Sequence, residues 1–454
     1  MGILSLYSKK LRVNRQNILI YMLDCDRISP LEEDSSLGAP PITTKGFFMR
    51  IKKNDLELLA SKLDISPTMY KYAVDRYIAI CEYLESQGIT AEMSPQGSFR
   101  TGTVTRPLKD GAEADYDIDV VCNLLQNKQS TDPKAVKHLV GDALKSSDIY
   151  GSRLLPEDAR CWTLEYAKVM DGIGFKLDVV PAVQDTPTKI LQLVERGVDI
   201  EYARDAISIT DRLANMDYTW AESNPQGFGS WFDDINAPFL AAGLEDKKKR
   251  FLEENSTLFA STATIEDVPD HYIKSALQRV IQLLKRHRDN HYARVENGEK
   301  LRPASVIITA LAAKIASETV PTASIDELLS YVVNGMRDYA GLLQGRKPAA
   351  RHADDQRDFI EKRDRKWWIP NPVNPDDNYA DSWTDDTAKE FFRWVDAVYT
   401  DLAGINVDNE VQYMAGLRTS FGKEFVDKHL PLEPSVQTQI STPSVRPTKP
   451  WRAN

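Results

Sequence analysis

Gln96-Gly97-Ser98-Phe99-Arg100-Thr101-Gly102-Thr103 sets two glycines at the spacing of a phosphate-binding P-loop. That loop continues with Lys and then Ser or Thr, because the lysine ammonium reaches the terminal phosphates. Here the chain continues with Thr103 and Val104. The stretch is therefore a plain turn, or a phosphate holder whose positive charge comes from elsewhere.

Asp115–Leu124 (DYDIDVVCNL) alternates and then turns apolar, which reads as a strand. Side chains alternate across a strand, so Asp117 and Asp119 share one face while Ile118 and Val120 point into a core. Two carboxylates side by side repel, and a cation relieves the repulsion. Hard oxygen ligands at this spacing suit Mg²⁺ held together with substrate phosphates. A third carboxylate, Asp178, lies in the apolar strand Phe175–Val180, where it is costly unless paired or bound to metal. If that strand lies beside the first, Asp178 completes a site for two Mg²⁺ ions, with Mn²⁺ as the alternative. Such a site activates an attacking hydroxyl and neutralises leaving pyrophosphate. A D-x-D strand alone is more often a solvated edge or a cap. The weight lies in the order: Gly-Ser turn, D-x-D strand, later strand with one Asp.

That order resembles the polymerase-β-like nucleotidyltransferases. QGSFRTGTVTRPL, ADYDIDVVC and FKLDVVPAV together resemble the CD-NTases, bacterial relatives of cyclic GMP–AMP synthase and oligoadenylate synthase. In the later half, Leu283-Leu284-Lys285-Arg286-His287 resembles the family helix whose lysine binds substrate phosphates. Arg302-Pro303-Ala304-Ser305 resembles the element whose Ser or Tyr touches the nucleotide. The resemblance covers about residues 52–425.

The resemblance implies an α+β fold: a polymerase-β-like core of mixed sheet and flanking helices, plus a C-terminal helical domain across a central cleft. It implies a synthase that joins ribonucleoside triphosphates, ATP among them, into a cyclic di- or trinucleotide. In each step a ribose hydroxyl attacks an α-phosphate and pyrophosphate leaves. Asp117 and Asp119 would bind both metals; Asp178 would bind one and help deprotonate the hydroxyl. Gln96, Gly97 and Ser98 would meet the nucleotide, Gly97 and Ser98 at the donor β- and γ-phosphates. Lys285 and Ser305 would steady the triphosphate from the helical side. Family members serve in anti-phage defence and signal to a separate effector protein. Some have their C-terminus joined to a target by ubiquitin-like conjugation machinery; a free tail ending Lys449–Asn454 fits that idea and a frayed terminus alike. The nearest rival is a nucleotidyltransferase that modifies an RNA or protein acceptor.

A net charge of −10 over 454 residues argues against a general nucleic-acid coat. Four cysteines without a CxxC pair read as reduced thiols, and the absence of a long apolar run argues against a membrane span, so a cytoplasmic protein is expected. Four regions are expected: an extension over 1–50, a catalytic core over 51–210, a helical substrate-binding domain over 211–430 and a disordered tail over 431–454. Strands are expected to stop largely after Thr210, and Trp367–Trp383 to be a loop. His287-Arg288-Asp289 spells the start of a kinase catalytic loop, but Arg294 stands where its asparagine belongs. His287 and His291 have metal-pair spacing but no third ligand at diagnostic spacing.

Overall fold

The computed structural model describes residues 54–430 apart from 107, 110–111, 114, 171–172, 255–264, 266–271, 347, 349–358 and 406–407. The expectations for residues 1–50 and 431–454 lie outside the described residues.

A short helix over 54–61 (α1) precedes the long helix Pro67–Ser86 (α2). Ser66 caps α2 by accepting the Met69 N–H at 3.2 Å, and Pro67 sits in the first turn, where its missing N–H removes no helical bond. Ala73, Tyr77, Ile80 and Leu84 repeat at helical spacing and are buried together.

Six strands form the main sheet: β1 Ala91–Pro95, β2 Tyr116–Asn127, β3 Trp162–Met170, β4 Ile173–Gln184, β5 Ile207–Arg212 and β6 Tyr218–Ser223. They run in the order β1-β2-β4-β5-β6, with β3 also paired to β4. β2 and β4 are parallel, and the other pairs are antiparallel. A parallel pair needs a crossover, and the helix Pro133–Ser146 (α3) lies within it. One sheet face buries Ile118, Val120, Cys122 and Leu124 of β2 with Leu177 and Val179 of β4, against α2 and α3. Slipping β2 by one residue would expose all four of its apolar side chains, each worth about 1.5–3 kcal/mol buried. The core thus holds the register that presents Asp117 and Asp119 on the opposite face.

The strands do not stop at Thr210. β5 runs to Arg212, a turn with Met216 at φ 69° follows, and β6 extends the sheet to Ser223. β6 is only partly buried, so its alternation is weak in sequence. The helix Pro225–Ala241 (α4) also escaped the periodic reading, because Gly227, Gly229 and an internal Pro238 dilute its pattern. Asn224 caps it by accepting the Gly227 N–H at 2.9 Å.

The later helices are Ala276–Tyr292 (α5), Ser305–Ala316 (α6), Ile325–Arg337 (α7), Asp385–Val398 (α8) and Glu410–Phe421 (α9). Their apolar faces share one core with α4, and Leu56, Leu59, Ala60 and Leu63 join it. So α1 packs with the helical half although it precedes the sheet in sequence. Within the expected loop Trp367–Trp383 the chain instead forms short hairpin strands. Lys366–Trp368 pairs with Glu361–Arg363 across Asp364 and Arg365, both at positive φ, and Pro370–Asn371 pairs with Asn374–Asn378. Among the described residues Cys81, Cys122 and Cys161 are free thiols, and no helix is long and apolar enough to cross a membrane.

Candidate active site

In the β2–β4 pairing Asp117 stands opposite Lys176 and Asp119 opposite Asp178. The apolar neighbours of these residues face the α2–α3 side, so the three carboxylates and Lys176 share the other face. Asp117 is exposed; Asp119 and Asp178 are half-buried. Burial, then the negative charges of Asp178 and Asp117, push the Asp119 carboxyl up to about 7. Partial burial and then Asp178 also raise Asp117, against the pull of Lys176. Among the described residues no three acidic, His or Cys side chains converge into a closed cation cluster. The carboxylates therefore face one side without having closed on one point.

Asp178 is held from the neighbouring strand. Thr163 lies opposite it on β3, and the Thr163 hydroxyl donates to Asp178 Oδ1 at 2.5 Å. Cys161 Sγ lies 3.6 Å from the same hydroxyl.

The glycine stretch turns directly over Asp119. Gln96 N–H donates to the Asp119 carbonyl at 2.9 Å, which zips the end of β1 to β2. Gly97 then takes φ +63°, and a β-carbon there would lie 2.9 Å from Asp119 Oδ2. Only glycine combines the left-handed backbone with that approach. Gly97–Arg100 forms one helical turn, and Thr103 N–H closes onto the Ser98 carbonyl at 2.9 Å. Arg100 leaves this turn to pair with Asp233 of α4 at 2.7 Å. A cavity of about 2880 Å³ runs along the same side, lined among others by Arg100, Thr101, Gly102, Val121, Asn123 and Asp233. Asp117, Asp119 and Asp178 are not among its lining residues; they adjoin it on the face that carries Val121 and Asn123.

Residues 91–179 match the family model described as the nucleotidyltransferase domain of cyclic GMP–AMP synthase DncV-like proteins. The c-di-GMP synthase of Roseivirga ehrenbergii is 25% identical over 376 residues, covering 80% of this chain and 83% of that protein. The cyclic dinucleotide synthase CdnG of Bradyrhizobium diazoefficiens is 28% identical over 334 residues, covering 72% and 68%. These matches support a CD-NTase. The solved structure of the Bradyrhizobium CD-NTase CdnG in complex with GTP has the same fold, with a TM-score of 0.58 at 22% identity over 84% of this chain and 98% of that one.

Of the expected site residues, Asp119 stands across from Asp178, Asp117 shares their face, and Gln96 and Gly97 meet Asp119, with Ser98 next in the turn. Lys285 and Ser305 do not join them. Lys285 is buried, and its ammonium donates to the Thr103 carbonyl at 3.2 Å and hydroxyl at 2.9 Å. Ser305 Oγ accepts from Arg288 Nη1 at 2.9 Å. The paired histidines go separate ways as well. His287 lies between Asp401 and Trp394, and His291 meets Glu390. Thr163, Gln278 and Gln282 had no place in the sequence reading. Ser275 and Gln278 carry a capping-box pattern at the start of α5, but that pattern does not say what else the glutamine touches.

Proposed function

We propose that this CD-NTase joins ribonucleoside triphosphates into a cyclic di- or trinucleotide with release of pyrophosphate. The observation that carries the reading is the alignment of Asp119 with Asp178 on parallel strands, with Asp117 on the same face and Gly97 packed against Asp119. The names of the relatives, cyclic dinucleotide synthases, support the same reaction class.

The residues fit a divalent metal. Three hard oxygen donors face one side, and the Asp119 carboxyl is raised first by burial and then by negative neighbours whose charge a cation would offset. Asp117 and Asp119 would hold two Mg²⁺ ions and Asp178 one of them. When bound, such ions acidify the attacking hydroxyl and offset charge on the α-phosphate and leaving pyrophosphate. The protein positions the rest. Thr163 occupies Asp178 Oδ1, which leaves Oδ2 to take the ribose hydroxyl proton. The ribose oxygen bonds to the α-phosphorus as the bond to the β-phosphate breaks. Gly97 leaves open backbone for the donor β- and γ-phosphates, and Ser98 adds a hydroxyl donor. The product would signal to a separate effector protein in anti-phage defence in the cytoplasm. Ubiquitin-like machinery acting on the C-terminus belongs to the same reading.

The test is incubation with four α-³²P-labelled ribonucleoside triphosphates and Mg²⁺ or Mn²⁺, followed by phosphatase. Label that survives in a discrete compact species is expected, and omitting one triphosphate at a time names its bases. Label found only on RNA or protein in added lysate would overturn the reading in favour of a macromolecular acceptor.

A further inference from the structure

The sheet face that carries the three carboxylates also carries Lys176. β3 runs antiparallel to β4, so Glu165 stands opposite Lys176 just as Thr163 stands opposite Asp178. Asp117 stands opposite Lys176 on the other side. Alternate residues of a strand share a face, so Asp117, Asp119, Thr163, Glu165, Lys176 and Asp178 form one block, with Lys176 between Asp117 and Glu165. The adjoining Trp162, Leu164 and Leu177 are buried in the core on the other face.

Lys176 is weakly held where it stands. Glu165 Oε1 lies 3.8 Å from its Nζ, an ion pair too long for a hydrogen bond. The two side chains are 36% and 52% exposed, and an ion pair so open to water contributes little. Among the described residues the ammonium donates no hydrogen bond, so its three N–H donors are open to a ligand. A lysine among carboxylates that receive metal ions adds repulsion to each ion, and an anion arriving with the substrate offsets it.

The strand order decides which substrate lies nearest. Gly97 packs against Asp119 from the β1 side of β2, and Asp178 stands on the far side, on β4. With the donor β- and γ-phosphates at Gly97 and Ser98 and the attacking hydroxyl at Asp178, the acceptor extends over β4 and β3, away from the Gly-Ser turn. Lys176 lies two residues from Asp178 along β4, about 7 Å. The ribose of an acceptor spans a similar distance between its attacking hydroxyl and its 5′-phosphate. When ribonucleoside triphosphates are joined, the acceptor brings a 5′-triphosphate of its own, an anion that such an ammonium recognises.

We infer that Lys176 is a specificity-determining residue that binds the 5′-phosphates of the acceptor nucleotide, with Glu165 holding the ammonium until that anion arrives. The inference rests on the reading of Asp178 as the group that takes the hydroxyl proton and of Gly97 and Ser98 as the donor-phosphate holder.

The test uses the full chain with Mg²⁺ and separates the two substrate roles. α-³²P-labelled 2′,3′-dideoxy triphosphates of the four bases can only donate, because they lack an attacking hydroxyl. α,β-Methylene triphosphates of the four bases can only accept, because their bond to the β-phosphate does not break. The bare nucleosides accept without any 5′-phosphate. Labelled linear dinucleotide is the readout. K176M is expected to cut the preference for the methylene acceptor over the bare nucleoside by about tenfold, the scale of one charge-assisted hydrogen bond, through the acceptor KM. K176R should recover most of the preference, and K176E should lose more of it than K176M. An unchanged preference in K176M overturns the inference, whatever happens to the total rate. A rise in donor KM in place of acceptor KM would make Lys176 a donor contact and overturn it as well. Wild-type protein that joins neither kind of acceptor to any donor overturns the synthase reading itself. If K176M fails to fold, K176Q puts the same question to the same acceptors.

Discussion

Asp119 lies directly across from Asp178 on two parallel strands, and the glycine at position 97 is packed against the Asp119 carboxylate. This pairing brings a residue of the D-x-D strand and one nearly sixty positions later to the same point of the sheet. If the pair is the centre of the chemistry, removing charge there should cost activity and not fold. D117N/D119N should lose product by at least about a thousandfold, the scale of losing one preorganised electrostatic group. Its thermal midpoint in metal-free buffer should equal or exceed that of wild type, because like-charge repulsion is relieved. Labelled product at wild-type rate from the double variant would refute the assignment.

Thr163 should matter through Asp178. T163V keeps the shape but removes the donor to Asp178 Oδ1. It is expected to lower kcat, or raise the metal concentration needed, by about ten- to a hundredfold, the usual scale for a partner that orients a metal ligand. T163S should recover most of the loss. Metal titrations of T163V and wild type that superimpose would remove Thr163 from the site.

The Gly-Ser turn makes two separable predictions. S98A should raise the donor KM by about 1–2 kcal/mol equivalent if the hydroxyl makes one charge-assisted bond to a phosphate. G97A should do more damage, since it combines a left-handed backbone with a 2.9 Å approach to Asp119 Oδ2. Steady-state kinetics on both variants check the order. A G97A enzyme with normal kinetics would count against close packing at Asp119.

Lys285 predicts a pH dependence of stability. Burial, then Arg288, hold its amine down to about 7, against the pull of Asp289. Its value in the unfolded chain is about 10.4. Between these limits the unfolded chain binds a proton that the folded chain lacks, so this residue adds stability as pH rises from about 7 toward 10.4, and nothing further below 7. Relative to K285M, wild-type unfolding free energy should climb over that window with a slope of at most ~1.4 kcal/mol per pH unit. Denaturant unfolding of both proteins near pH 6, 8 and 9.5 measures it. Parallel curves at all three values would show that the amine is not buried as described.

The sequence by itself determined the local elements and the direction in which their side chains point. Alternation in β2 put Asp117 and Asp119 on one face, and the same rule placed Asp178 opposite Leu177 and Val179. Ser66-Pro67 and the apolar repeat after it located α2. These are properties of a period within one element, and a period is readable wherever one side is buried. Weak or interrupted periods were not readable, which is why β6, α4 and the hairpins within 361–378 went unseen. Only the tertiary structure decided which elements meet. Thr163 reaches Asp178 because β3 folds back on β4, and Lys285 reaches Thr103 because α5 packs against a turn 182 residues earlier. A lysine's letter carries its charge but not its partner. Here the fold sets that side chain against the Thr103 carbonyl and hydroxyl, partners that no local period announces.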